Sequence, residues 1–181
     1  MDDPRVLELV EQYIRRQHMI EAAYGLLDKP GRVGAANHVA QQMDDGTKMR
    51  LDTVCSEICT MMSVPLAAVT LVNDSKQLVL GACGMSHEPQ DRDHSFCIFV
   101  AASGMPFQIS DLDATPEELT CIPAWEKRSI RAYLGRPLII QEQTVGALCA
   151  VDFVPREWTD LEHTMLDNYA AHVSGILEER A

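Results

Sequence analysis

Ile130 to Phe153 reads IRAYLGRPLIIQEQTVGALCAVDF, two apolar runs joined by Gln141-Glu142-Gln143-Thr144. Short apolar runs with a polar link predict a β-hairpin whose loop has about three to five residues. In the second run Val145, Ala147, Cys149, Val151 and Phe153 share one face, and Gly146, Leu148, Ala150 and Asp152 share the other. Both faces are mostly apolar, so the sheet is expected to be covered on both sides. Asp152 is the exception. A carboxylate ending such a strand either binds a ligand or accepts nearby backbone N–H groups, because an unpaired buried charge is too costly. Arg131 and Tyr133 on the first run raise the same question.

The chain has 181 residues, enough for one domain with additional helix, and 46% of them are hydrophobic, enough for a full core. Its net charge is −12. That argues against a nucleic-acid partner and against an anionic membrane surface, since both need a basic patch. No apolar run approaches the ~20 residues that span a bilayer. The N-terminus, MDDPRVLELVEQ, lacks the apolar core of a secretion signal. A cytoplasmic location is the expectation, and Cys55, Cys59, Cys83, Cys97, Cys121 and Cys149 are then reduced thiols. None forms a CxxC pair. Cys55 and Cys59 lack a nearby His, so no metal site is expected.

Outward from the hairpin, the remaining elements can be read in chain order. Asp3 to Leu27 predicts one long helix, capped by Asp3 with Pro4 at its first position. Val6, Val10, Tyr13, Gln17, Ile20, Tyr24 and Leu27 form a heptad seam. That helix either lies on the domain core or pairs with a second copy, with Gln17 tuning the register. Lys29-Pro30-Gly31 should end it. The expected division is therefore an N-terminal helix over 1–30, a small-residue linker over 31–46 with room for a short helix, and the main domain over 47–181. Within that domain a helix is predicted over Thr47–Ser63, with Leu51, Val54, Cys55, Ile58 and Met62 inward. A strand follows at Leu66–Val72, a turn at Asn73-Asp74-Ser75 and a return strand at Gln77–Ala82. Ser95–Ser103 reads as a short apolar helix capped by Asp93 or Ser95 and closed by Gly104. Phe107–Ser110 is a short strand, and Ala114–Ser129 a longer excursion. Thr159-Asp160-Leu161-Glu162 is a capping box that opens a final helix to about Glu179. Neighbouring strands with short links imply an antiparallel sheet with helices on its faces.

Three stretches together resemble the GAF domain family: VPLAAVTLVNDSKQLVLGACG, SFCIFVAASGMPFQISDLDA and IRAYLGRPLIIQEQTVGALCAVDFVPREWT. The resemblance runs from about Met49 to Glu178. It implies an α+β fold with a six-stranded antiparallel sheet flanked by helices. It also implies terminal helices that pack together, often across a homodimer. The family's usual role is regulatory: a small molecule binds between the sheet and its covers, here Ser95–Ser103 and Asp111–Ser129, and the signal passes to a downstream protein. Its ligands include cyclic nucleotides, bilins, haem and nitrate. No Cys-His pair stands where a bilin attaches, and His94 is the one reasonable haem ligand, so no cofactor is expected to be required. Nothing after Glu178 encodes an output domain, which implies a stand-alone module or a piece of a longer protein.

The residues expected to meet a ligand are Phe96, Cys97, Asp111, Trp125, Arg131, Tyr133 and Asp152, a few polar groups converging on an apolar cavity. Each also has a structural explanation. Asp111 would cap a turn, Arg131 would pair with Asp111 or Asp152, and Cys97 would be a small buried hydrophobe. As a thiolate in the first turn of a helix, Cys97 would instead gain nucleophilicity from the helix dipole. One branch of the family, the free methionine-(R)-sulfoxide reductases, is enzymatic, and Cys83, Cys97 and Cys121 fall roughly where that branch keeps its thiols. Asp152 matches one of its acidic substrate-holding positions. Tyr133 and Ala150 stand where Glu and Asp would be expected, and Thr120-Cys121-Ile122-Pro123 lacks the branch's Cys-Asp motif. The primary expectation is therefore a non-catalytic sensor of a small molecule or of redox state. A thiol-dependent reductase and a ligand-free dimerisation module are the alternatives.

Overall fold

A computed structural model describes residues 21–92, 95–115 and 130–181. Residues 21–27 are helical, the end of the expected N-terminal helix; its first twenty positions, and so most of the heptad seam, lie outside the described residues. The two seam members within them, Tyr24 and Leu27, pack into the domain's own core, and Leu27 is fully buried. Asp28 and Lys29 turn the chain, and Pro30 starts a new helix, α1 (Pro30–Gln41), at the position where a missing N–H costs nothing. The stretch expected to be a linker is thus mostly helix. Ala36 and Val39 join the core, and the buried Arg32 donates to Leu27 O and Val72 O, both at 2.6 Å. Sequence reading leaves room for a short helix here but not for its full extent, because its inner face is built from small residues and one cation rather than an apolar stripe.

The helix α2 (Asp45–Met62) starts on Asp44, whose carboxylate accepts from Thr47 N at 2.7 Å, and ends on Ser63 in the left-handed region. The strands β1 (Leu66–Val72) and β2 (Lys76–Cys83) follow, joined by a turn in which Asn73 Oδ1 accepts from the N–H groups of Ser75 and Lys76. The two-residue β3 (Gln90–Asp91) was not expected. Then come α3 (Cys97–Ser103), β4 (Phe107–Ile109), a single 3-10 turn at Leu112–Ala114, β5 (Ala132–Ile140), β6 (Gln143–Asp152) and α4 (Asp160–Glu178). The sheet order is β3-β2-β1-β6-β5-β4, and every pair is antiparallel. All seven residues of β1 are buried, as a strand covered on both faces requires.

The hairpin that organises the chain is tighter than its polar link suggests. Ile140 pairs with Gln143, so the loop is only Gln141-Glu142, with φ of 47° and 64°. Two left-handed central residues are what a two-residue loop needs to match strand twist. Gln143 and Thr144 are strand residues at an accessible tip.

One face of the sheet meets α1, α2 and α4 over a core that includes Leu51, Ile58, Leu71, Leu134, Leu148 and Leu166. The other meets α3 over Leu66, Ala68, Ile98, Val100, Tyr133 and Cys149. Arg156 pins the first layer. Its guanidinium donates to Asp152 Oδ2 at 2.9 Å, to Glu162 Oε1 at 2.5 Å, and to the carbonyls of Met62 and Ser63. No helix among the described residues is long and apolar enough to cross a membrane.

Glu162 closes the capping box with Thr159 as well as binding Arg156. Burial raises its pKa, but the Thr159 N–H and the Arg156 guanidinium outweigh this and hold the carboxyl below its ordinary value. A depressed carboxyl contributes stability above its unfolded value and loses it as pH falls through the folded one. Glu162→Gln should therefore cost about 1–3 kcal/mol near neutral pH in urea unfolding. The deficit should shrink as pH drops below the carboxylate range; a pH-independent deficit would contradict this account.

Candidate functional site

The second face of the sheet is floored by small residues. Cys149 on β6 pairs with Ala68 on β1 and with Gly135 on β5. Small side chains at the centre of a curled sheet leave a depression, and α3 covers part of it. The turn Ser95-Phe96 leads into α3, whose first residue is Cys97; Ser95 Oγ accepts from Cys97 N at 3.1 Å, and Gly104, at φ 67°, closes the helix. The resulting cleft holds about 40 Å³ and is lined by Thr70, Gln77, Ser95, Phe96, Cys97, Tyr133 and Cys149, among others.

Gly135 fixes where Tyr133 points. A Cβ there would lie 2.5 Å from the Tyr133 hydroxyl, so only glycine lets the phenol lie back along its own strand. The ring packs against Phe96 (centroids 5.4 Å) and Phe107 (6.0 Å), and its O–H donates to Cys97 Sγ at 3.4 Å. Cys149 Sγ lies 3.9 Å from Cys97 Sγ. Both thiols are almost wholly buried.

The neighbouring Cys149 thiol, with the Ser95 and Tyr133 hydroxyls, holds Cys97 below its ordinary pKa against the opposing push of burial. Thr70 also stands near, but its single hydroxyl proton goes to Ala147 O at 3.1 Å. Cys149 is pushed up by Cys97 and by burial, and Tyr133 by burial first and Cys97 second. Cys97 is therefore the more acidic thiol of the pair. The stabilising groups are the side chains that meet the sulfur. By contrast, burial pushes Cys55 up to about 12, and burial with the nearby Cys83 pushes Cys59 up to about 12. Those are inert thiols.

One polar atom in the cleft lacks a partner. Gln77 is 3% exposed, and its side-chain oxygen has none. Among the described residues the cleft carries no Lys, Arg, Asp or Glu. No three His, Cys, Asp or Glu side chains gather there or elsewhere among the described residues as a metal site would need.

Of the residues expected to meet a ligand, Phe96, Cys97 and Tyr133 converge on this cleft. Asp111 does not line it. Its carboxylate accepts from Arg131 at 2.8 Å and caps the 3-10 turn, so the two expected site residues satisfy each other. Asp152 lies on the opposite face, accepting from Phe153 N at 2.7 Å and from Arg156. Cys83 packs against the α2/α4 core, across the sheet from Cys97. Trp125, Cys121 and His94 lie outside the described residues. Sequence reading missed Gln77, Ser95 and Cys149 as site residues. Gln77 had a signal, as a polar residue beginning an apolar strand. Cys149 had been placed on the correct face but never paired with Cys97.

A family model for the GAF domain matches residues 47–177. The chain belongs to the GAF domain family. Solved structures agree on the fold. The GAF domain of an Acinetobacter phosphoenolpyruvate-protein phosphotransferase aligns over 83% of this chain and 95% of its own, at 12% identity and TM-score 0.61. A type II free methionine-R-sulfoxide reductase from Thermoplasma acidophilum aligns over 75% of this chain and 95% of its own, at 13% identity and TM-score 0.61. The blue-light absorbing PixJ GAF domain of Thermosynechococcus elongatus aligns over 74% of this chain and 86% of its own, at 18% identity and TM-score 0.60. A search of curated protein sequences returns no match.

Removing the Tyr133 hydroxyl while keeping its ring tests the thiolate assignment. In Tyr133→Phe the Cys97-dependent rise in ultraviolet thiolate absorbance should move up by roughly one pH unit, since a hydrogen bond to the charged form is lost. Subtraction of a Cys97→Ser titration isolates that component. An unmoved midpoint would assign the stabilisation elsewhere.

Proposed function

We propose that this GAF domain is a non-catalytic regulatory module. It senses a small molecule or redox state in the cleft beneath α3 and passes the signal to its terminal helices. The single observation that carries this is the Gln77 side-chain oxygen, buried without a partner in a cleft that also holds the Cys97–Cys149 pair. A buried acceptor without a donor costs about 1–3 kcal/mol. A ligand N–H or O–H recovers that cost. The absence of charged groups among the described lining residues, on a chain of net charge −12, favours an uncharged ligand over an anion.

Signalling follows if two arrangements of the helices bind that ligand unequally. The proposal includes a homodimer, a downstream protein as receiver and a cytoplasmic location. A thiol-dependent reductase acting on a small sulfoxide is the second reading. The structural neighbour from Thermoplasma acidophilum favours it. Among the described thiols Cys83 stands across the sheet from Cys97, and Cys149, 3.9 Å from Cys97, is the one placed to resolve in that chemistry; Cys121 lies outside the described residues. Turnover of free methionine sulfoxide with a thiol reductant, abolished in Cys97→Ser, would establish that second reading.

Native mass spectrometry of the purified protein, compared with its denatured mass, tests the sensor reading. A dimer with extra mass that leaves on denaturation is expected. Stripping that mass should change hydrogen exchange in α4 and in residues 6–27. Exchange that is identical with and without the ligand would defeat the proposed signalling route.

A further inference from the structure

Cys97 and Cys149 come together from distant parts of the chain, a short covering helix and a central strand. Their sulfurs are 3.9 Å apart. A disulfide needs about 2.05 Å, so the pair must close by roughly 2 Å. That closure asks for a shift of about 2 Å between α3, which carries Cys97, and β6, which carries Cys149. The Gln77 oxygen, which lines the same cleft, stands without a donor, and the cleft offers about 40 Å³. Sites for drug-sized ligands hold about 300–1,000 Å³, while one water occupies about 30 Å³ of liquid. The cleft therefore suits a molecule of a few heavy atoms that brings an electrophilic atom to sulfur.

We propose that the cleft is a peroxide-reactive site in which Cys97 is oxidised by hydrogen peroxide and Cys149 resolves the product as an intramolecular disulfide. This rests on the sensor reading and names its stimulus. The peroxide enters the cleft that Cys97 lines. The Cys97 thiolate attacks the nearer oxygen; the S–O bond forms as the O–O bond breaks. Hydroxide departs and takes up the proton lost when Cys97 ionised, giving water. Cys97 is then a sulfenic acid, two electrons oxidised. The Cys149 sulfur attacks it, the S–S bond forms, and the S–O bond breaks. The leaving oxygen takes the Cys149 proton as a second water. Two thiols and one peroxide become one disulfide and two waters. The low exposure of both sulfurs, which shields them from bulky disulfides, selects for a small oxidant.

The test is stoichiometric hydrogen peroxide on the reduced full chain, quenched by alkylation under denaturing conditions and mapped by peptide mass spectrometry. The expected product is a Cys97–Cys149 disulfide with the other thiols still alkylated. It should form about tenfold or more faster than free cysteine is oxidised, as a stabilised thiolate should react. Cumene hydroperoxide, too bulky for the cleft, should lag by a similar factor. In Cys149→Ser the reaction should stop at a sulfenic acid on Cys97, trapped by dimedone. A disulfide among other cysteines with Cys97 and Cys149 still reduced would overturn the proposal, and the wild-type map shows this even if the variant fails to fold. If the pair stays reduced while the native protein still carries a ligand, the peroxide chemistry fails and the sensor reading stands. If the pair oxidises while helix exchange is unchanged, the chemistry stands and the signalling route fails.

Discussion

Arg156 is the group on which the three-layer arrangement depends. It follows β6 by four residues and touches almost everything that must meet there. The guanidinium satisfies Asp152 at the end of β6, Glu162 in the first turn of α4, and the last carbonyls of α2. Its own N–H donates to Ser110 O at 2.8 Å, just past β4, and its planar head lies 5.1 Å from the Trp158 ring centroid. Taking a cation and two carboxylates largely out of water costs several kcal/mol per ion unless their hydrogen-bonding capacity is filled. Here most of it is filled, and the fork geometry of arginine is what permits it. A lysine has no planar fork and would leave carbonyls unserved. The cluster thus fixes where α4 starts and where α2 stops, and those two helices cover one side of the sheet.

The division of labour between the faces follows. Charge pairs such as Arg156–Asp152, Arg136–Asp167 and Arg131–Asp111 are spent on architecture. The cleft under α3, on the opposite face of the sheet, is lined only by neutral groups and thiols among the described residues. In such surroundings a single donor to a sulfur matters, because little water competes with it. Positioning of Tyr133 by a glycine two residues along the same strand is therefore a chemical as well as a steric feature.

The strands were legible because β1, β5 and β6 are dense in apolar and β-branched residues and are bounded by turn residues. The α4 start was legible because Thr159 and Glu162 have the capping-box spacing. Helix α1 was legible only as room for a short helix within a linker, because its buried positions are Arg32, Ala36 and Val39, and Arg32 is held by carbonyls that no local pattern announces. The hairpin loop was misjudged since neither Gln141 nor Glu142 advertises the left-handed conformation it adopts. At the site, sequence favours charged residues as candidates, yet Asp111, Arg131 and Asp152 are charges that neighbours already satisfy. Cys149 reads as one more apolar residue in a strand. Only its registration against Gly135 and beneath Cys97 makes it chemistry, and registration is tertiary information.

The placement of β1 has a consequence for biogenesis. It emerges well before β6, one of its two neighbours, with Thr70 bonded to a residue 77 positions later. At about 5–20 residues per second of synthesis, one edge of LAAVTLV stays unpaired for roughly 4–15 seconds. During that time it is a sticky, uncharged strand with an open hydrogen-bonding edge. Until β6 is made, that edge is open to pairing with other chains, so the order of synthesis leaves the centre of the sheet exposed longer than its rim.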